Sequence, residues 1–308
     1  MSSRLRHLTT LEHLPRETIE RLLDRAESMR EGCAHGTRKL ELLSGRTILN
    51  LFFEPSTRTR TSFELAARRL SADVINFDIG FSSTSKGEAL FDTLHTLEAM
   101  HLDAIVVRHK ISGTPEELVR HAMSGVSVIN AGDGNRAHPT QGLLDVLTIR
   151  QHRPDFSQLT VVICGDVKHS RVARSDVHAL KAMGVKEIRL CSPKALMPQE
   201  SEFPGCVITD DFDAAVEGAD VVIMLRLQKE RMAVTDLPDE AAYFQRYGLD
   251  NRRLARAAKA ALVMHPGPLN RGIEIAPEVA DGPQSRILEQ VGNGVFVRMA
   301  VLAEVLGR

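Results

Sequence analysis

Short runs rich in Val, Ile and Leu alternate along the chain with stretches whose apolar residues recur every three to four positions. The first pattern predicts strands at 47–53, 73–78, 104–109 and 127–132. A second series follows at 159–165, 187–192, 206–210, 220–226 and 261–266. These runs are apolar on both faces, as parallel strands covered on both sides are. The second pattern predicts helices at 15–30, 58–70, 87–101, 114–123, 139–151, 171–183 and 249–259. Strand–helix alternation of this kind implies an α/β fold with mostly parallel sheets flanked by helices. Two strand series imply two domains, 1–138 and 139–292, with the helix at 139–151 linking them. The closing run VFVRMAVLAEVLGR has helical periodicity, and its helix, 293–308, is expected to return to the first domain. MPQESEFPG (197–205) reads as a loop and 227–250 as a long excursion after a strand.

In open α/β sheets ligands bind beyond the carboxyl ends of the strands. Polar clusters fall at those places here. The first is EPSTRTRTSFE (54–64), where Ser56 or Thr57 can cap a helix after Pro55. A helix N-terminus presents unpaired N–H groups and a partial positive charge to an anion. The hydroxyls of Ser56, Thr57 and Thr59 add donors, and an arginine adds a fork suited to phosphate oxygens. Arg58 and Arg60 lie two apart and cannot share a helix face. If Arg58 meets the anion, Arg60 turns away, towards a carboxylate. A plain cap with solvated arginines is the alternative, and the density of donors favours phosphate.

The other clusters are weaker singly. Lys86, in SSTSKGE, reads by itself more readily as part of a solvated loop than as an anion ligand. Arg108 ends a strand, where a charge without a partner is costly; His109 beside it reads as structural. His138 and Gln141 head the helix at 139–151, with Pro139 suited to its first turn. The helix dipole there disfavours imidazolium, so a neutral His138 can donate to a carbonyl oxygen; a simple histidine cap is an equal reading. Arg171 and Arg226, the latter with Gln228, stand at the ends of neighbouring strands and suit a dicarboxylate, or else a pair of structural ion pairs. Pro266 and Pro268 flank Gly267 and stiffen a bend whose carbonyls can face a donor on a substrate.

Composition narrows the classes. The 308 residues carry a net charge of −1, so no global field draws the chain to nucleic acid or to an anionic membrane. No apolar run approaches the ~20 residues of a membrane span. The start lacks the apolar core of a signal peptide, so a cytoplasmic location is expected and a periplasmic binding protein is disfavoured. Cys33, Cys164, Cys191 and Cys206 form no C-x-x-C pair and no zinc spacing, and read as reduced thiols. No G-x-G-x-x-G follows a strand. With no metal cluster, cofactor motif or nucleophile–base pair, the chemistry implied is transfer between two bound anions, driven by positioning and electrostatics.

The segments STRTRTSFE, SSTSKGE, VVRH, NAGDGNRAHPTQ, GDVKHSR, RLQKER and HPGPLNRG resemble, in order and spacing from about Leu42 to Arg298, those of the aspartate carbamoyltransferase family. Ornithine carbamoyltransferases share STRTR but usually carry HPCQ, HCLP and SMG motifs. Here the matching segments read HPTQ and HPGP, and no SMG occurs. Enteric-type aspartate enzymes read HPLPR where this chain has HPGPLNRG, so the details of that loop transfer less directly. The resemblance implies transfer of the carbamoyl group of carbamoyl phosphate to L-aspartate, a step of pyrimidine synthesis, without a cofactor. It implies a carbamoyl phosphate domain, an aspartate domain and a homotrimer with shared sites. It also admits a regulatory chain or a dihydroorotase as partner.

By matching position, the resemblance assigns Ser56, Thr57, Arg58, Thr59 and Arg108 to the phosphate, and Thr59, Arg108 and His138 to the carbamoyl C=O. Gln141 and the carbonyls of Pro266 and Gly267 hold the carbamoyl NH2. Ser82 and Lys86 enter from a neighbouring subunit, Lys86 serving both substrates. Arg171, Arg226, Gln228 and Pro268 hold aspartate. It further implies a cis Gly267–Pro268 bond and a bridge from Glu54 to Arg171 or Arg231. The alternatives are a carbamoyltransferase for another amino acid and a non-catalytic paralogue.

Overall fold

The computed structural model describes residues 5–34, 39–77, 95–122, 125–228 and 239–307. The fold divides into two units, Met1–Leu144 with Gly292–Arg308, and Asp145–Val291. In the first unit the strands β1 (Thr47–Phe52), β2 (Asp73–Phe77), β3 (Ala104–His109) and β4 (Ser127–Asp133) form a parallel sheet of order β2-β1-β3-β4. The helices α1 (Arg16–Ala34), α2 (Thr57–Arg69) and α3 (Thr114–His121) belong to this unit. Leu49, Leu51, Ile105, Val107 and Val128 pack with Leu118 of α3 into one core. β2 departs from the expected double cover. It is an edge strand, largely exposed, and Asn76 on it donates to Glu64 of α2 at 3.0 Å while accepting from Asn50 of β1 at 2.9 Å.

A helix numbered here α10 (Ile287–Leu306), last in the chain, returns to α1 as expected. Arg21 and Arg25 of α1 reach opposite oxygens of its Glu304, at 2.9 and 3.2 Å. It starts well before 293, because Gly292 and Gly294 lie inside it rather than in a loop. A helical glycine costs about 1 kcal/mol relative to alanine. Close packing accounts for Gly294: a Cβ there would sit 2.5 Å from Arg298 Nη1 and 3.2 Å from Leu144 Cδ2.

The second unit holds a parallel sheet of order β7-β6-β5-β8-β9, from β5 (Thr160–Cys164), β6 (Glu187–Cys191), β7 (Val207–Thr209), β8 (Val221–Met224) and β9 (Leu262–Met264). α4 (Pro139–His152) leads into it, and α5 (Arg171–Met183), α6 (Phe212–Val216), α7 (Glu240–Tyr247), α8 (Asn251–Leu254) and α9 (Pro277–Ala280) accompany the strands. The helix expected at 249–259 shrinks to α8. Beyond it the backbone turns away to bond the neighbouring connection, Ala258 N–H to Ala219 O and Gly218 N–H to Arg256 O. α7, inside the 227–250 excursion, was not expected; Asp239 caps it by accepting the Ala242 N–H at 2.8 Å. The buried Arg253 donates to the Gly248 and Gln245 carbonyls at its end and to Asp213. Of the helix expected at 87–101, residues 95–98 are helical and 87–94 lie outside the described residues. Cys164 and Cys191 are register partners on β5 and β6, buried and free.

Between α4, α5 and α10 the unit buries an acid pair. Asp145 accepts the Gln290 amide N–H at 2.6 Å. Among the described residues no N–H or hydroxyl reaches either oxygen of Asp176. Burial, and then the neighbouring Asp145 carboxyl, push the Asp176 carboxyl well above the usual carboxylate range. A proton shared between the two acids satisfies both. An unfolded Asp titrates near ~3.9, so above that pH the native state holds a proton the unfolded state lacks, and stability falls as pH rises towards the raised native pKa. Asp176→Asn supplies an N–H to Asp145 and removes the titration. Its melting temperature is expected to exceed that of the wild type, by more at about pH 8 than at about pH 5. A difference that shrinks as pH rises contradicts the shared proton.

Candidate active site

In the first sheet the direction of strand addition reverses between β1 and β3, and such a reversal opens a crevice at the carboxyl ends of the two strands. The two exits are joined by the Phe53 N–H, which donates to Arg108 O at 2.8 Å. β1 runs into α2, whose N-cap is Ser56. The Ser56 hydroxyl makes no capping bond. Thr59 is buried and Arg58 exposed, and the Ser62 hydroxyl turns back to Arg58 O at 2.7 Å. Arg60 is exposed and has no carboxylate partner among the described residues, contrary to expectation.

At the β3 exit the register shifts between Val107 and His109. A bulge of this kind re-aims the side chain within it, here Arg108. Its guanidinium donates to Ala131 O at 3.2 Å and lies 3.4 Å from Glu54, leaving it 13% exposed. Within its own unit, then, Glu54 has Arg108 as partner; Arg231 lies outside the described residues. His109 accepts the Ile111 N–H at Nδ1 and packs its ring edge-on to Phe53. Burial pushes its pKa down, in keeping with a structural role.

β4 leads to a turn built on the buried Asp133. One of its oxygens accepts from Ala137 N–H and the Asn130 amide, and the other from Gly113 N–H. That turn delivers His138 to the head of α4, where its carbonyl accepts the Gln141 N–H at 2.9 Å. His138 and Gln141 are both buried. Ser82 and Lys86 lie outside the described residues.

The second sheet reverses between β5 and β8. The exit of β5 carries Gly165 to Arg171, and that of β8 carries Leu225 to Gln228. Leu225 N–H donates to Cys164 O at 2.7 Å, which draws the two together. Gly165 has φ +135°, and a Cβ there would lie 2.5 Å from Leu225 O. Asp166 ties the loops, accepting the His169 N–H and ring Nδ1–H on one oxygen and the Gln228 N–H, at 3.4 Å, on the other. Burial raises its pKa and His169 opposes the shift. Sequence reasoning missed Asp166; an acid directly after a buried strand and glycine was the available signal. Arg171, 7% exposed, opens α5 behind the Ser170 cap. Arg226 donates to Leu227 O at 3.3 Å. The exit of β9 forms the turn at Pro266, Gly267 and Pro268, with the Gly267–Pro268 peptide cis as expected.

Comparison with known proteins covers nearly the whole chain. Residues 6–151 match the family model described as aspartate/ornithine carbamoyltransferase, carbamoyl-P binding domain, and 157–305 that described as the Asp/Orn binding domain. The chain is 58% identical over 308 residues to the aspartate carbamoyltransferase catalytic subunit of Stenotrophomonas maltophilia strain R551-3, spanning 99% of this chain and 98% of that one. Its fold superposes with TM-score 0.88 and 34% identity on aspartate transcarbamoylase of Trypanosoma cruzi in complex with carbamoyl aspartate and phosphate, over 98% of this chain and 96% of that one. Ornithine carbamoyltransferase of Thermus thermophilus superposes with TM-score 0.86 at 26% identity, over 99% and 100%.

Proposed function

The chain belongs to the aspartate/ornithine carbamoyltransferase family, and we propose that its first unit holds carbamoyl phosphate while the arginines of its second hold L-aspartate. It is an enzyme that transfers the carbamoyl group of carbamoyl phosphate to the amine of L-aspartate, giving N-carbamoyl-L-aspartate and phosphate. The observation that carries the assignment of residues is the coincidence, in each sheet separately, of the strand-order reversal with one cluster of anion-binding groups.

Ser56, Thr57, Arg58 and Thr59 at the head of α2, with Arg108, bind the phosphate through first-turn N–H groups, hydroxyls and guanidinium forks. The neutral aspartate amine attacks the carbamoyl carbon, and negative charge develops on the carbonyl oxygen. Thr59, Arg108 and His138 stabilise that oxygen. Gln141 and the carbonyls of Pro266 and Gly267 accept from the carbamoyl NH2. The C–O bond to phosphate breaks, the leaving group keeps the electron pair and takes the amine proton, and no protein nucleophile is needed. Arg171, Arg226, Gln228 and Pro268 orient aspartate. A second carboxylate matches the two guanidinium groups, whereas the ammonium of ornithine is repelled by them.

The working enzyme is a homotrimer in which Ser82 and Lys86 serve a neighbouring subunit's site, acting in the cytoplasm at the first committed step of pyrimidine synthesis. Among the described residues no helix is long and apolar enough to cross a membrane. Solution mass, alone and after copurification from native extract, distinguishes a free trimer from one joined to regulatory chains or a dihydroorotase. Carbamoylation assayed with aspartate and with ornithine is expected to give turnover with the first and none above background with the second. No turnover with aspartate overturns the reading.

A further inference from the structure

The turn after β9 is held from beneath by side chains that the reaction itself does not use. His265 and Glu274 are both buried, at 2% and 0% exposure. His265 Nδ1 accepts the Gly267 N–H at 2.8 Å, so its ring proton sits on Nε2, which donates to Glu274 Oε1 at 3.2 Å. The same Glu274 oxygen accepts the Asn270 N–H. One carboxylate oxygen thus grips both ends of the segment 265–270, the entry through an imidazole and the exit directly. The entry is fixed again from α10, where the Gln290 side-chain carbonyl accepts the His265 N–H at 2.9 Å. Gln290 is itself fixed by donating to Asp145, whose neighbour is Asp176. Polar contacts therefore run through the interior of this unit from Asp145 of α4 to the turn.

A buried carboxylate is a costly way to stabilise a turn. No donor reaches Glu274 Oε2 among the described residues, and apolar packing holds a bend as well with no desolvation to offset. What two charge-assisted contacts add is orientation, because they fix how the peptide planes between them are rotated. Pro266 and Gly267 lie inside the gripped segment, and their usefulness as acceptors depends on where their carbonyls point.

We propose that Glu274 and His265 are positioning residues that aim the carbonyls of Pro266 and Gly267 at the carbamoyl NH2. The inference rests on the reading of those two carbonyls as its acceptors. It distinguishes the carbamoyl end of the substrate from the phosphate end, which the head of α2 binds without help from this turn.

The test compares two ligands by titration calorimetry. Phosphonoacetamide is a stable phosphonate that carries a carboxamide NH2, and inorganic phosphate has none. In Glu274→Ala the Kd for phosphonoacetamide is expected to rise about ten-fold or more, the loss of charge-assisted bonds, with that for inorganic phosphate unchanged within about two-fold. Glu274→Gln keeps an oxygen able to accept from both Asn270 and His265, and should restore most of the lost affinity. If Glu274→Ala does not fold, His265→Asn serves in its place, since Asn can still accept the Gly267 N–H but cannot reach Glu274. Equal affinities of variant and wild type for phosphonoacetamide, or equal losses for both ligands, overturn the inference and leave the proposed function standing. A wild-type protein that binds inorganic phosphate but gains nothing from the carboxamide overturns instead the role given to the Pro266 and Gly267 carbonyls.

Discussion

Arg108→Met is expected to lower kcat by a factor of about 10²–10³ while the protein remains folded, the range set by the ~2.7–4 kcal/mol that one donor to a developing oxyanion contributes. Arg108 is suited to that role by how little freedom it retains. The bulge between Val107 and His109 leaves it out of the β3–β4 pairing, Ala131 O holds one arm, and Glu54 lies against its Nε. A donor fixed before the reaction needs no reorganisation as charge appears on the carbonyl oxygen. Methionine preserves the stem's packing and removes the charge, and Glu54 is sufficiently exposed to be solvated when left behind. If the same guanidinium also binds the phosphate, as proposed, kcat/KM for carbamoyl phosphate should fall further than kcat, whereas KM for aspartate should change least. Arg60→Met, which removes an exposed arginine, is the internal control, with turnover expected within about two-fold of wild type. Steady-state kinetics beside a thermal melt read both. A loss in kcat of less than about ten-fold for Arg108→Met contradicts the assignment.

Much of this was legible from the order of residues. The nine strands of the described residues lie where apolar runs predicted them, most of them because a strand covered on both faces must be apolar throughout; the edge strand β2 is the exposed exception. The places of Ser56 to Thr59, Arg108, Arg171 and Arg226 at or just after strand ends were legible too, since polar groups directly after such runs interrupt an otherwise apolar pattern. The order of strands within each sheet was not. Whether β3 follows β1 on the same side as β2 or on the other is settled by packing, and that order makes Arg108 a neighbour of the α2 head. The tying residues were hidden for a related reason. Asp166 meets its partner Gln228 across 62 positions and Gln290 meets Asp145 across 145, so no local spacing marks them. The early start of α10 was masked by Gly292 and Gly294, and only at Gly294 does a close neighbour account for the missing side chain.

Gly165→Ala should damage the aspartate half of the enzyme and spare the phosphate half. A φ of +135° is one that L residues rarely adopt, and the new Cβ would meet Leu225 O at 2.5 Å and Leu225 Cβ at 2.9 Å. The nearest of these atoms is backbone, so rotamer adjustment cannot relieve the contact and one of the two exits must move. Backbone strain of ~1–3 kcal/mol adds to overpacking of ~1–3 kcal/mol. Together these are a large fraction of the ~5–15 kcal/mol by which domains are stable, and a lower melting temperature is expected. The functional effect follows from what the displaced segment carries. Leu225 precedes Arg226, and Gln228 is tied back to Asp166 next to the substituted position. A shift of about 1 Å in positioning groups can cost about 10²-fold, so KM for aspartate should rise by at least about ten-fold. Inorganic phosphate, whose proposed ligands all lie in the first unit, should keep its Kd within about two-fold. Kinetics with aspartate varied, calorimetry with phosphate and a thermal melt separate the outcomes. Wild-type melting together with wild-type KM for aspartate would mean that the β5 and β8 exits tolerate separation, and the arrangement of Arg171, Arg226 and Gln228 as one aspartate site would lose its structural basis.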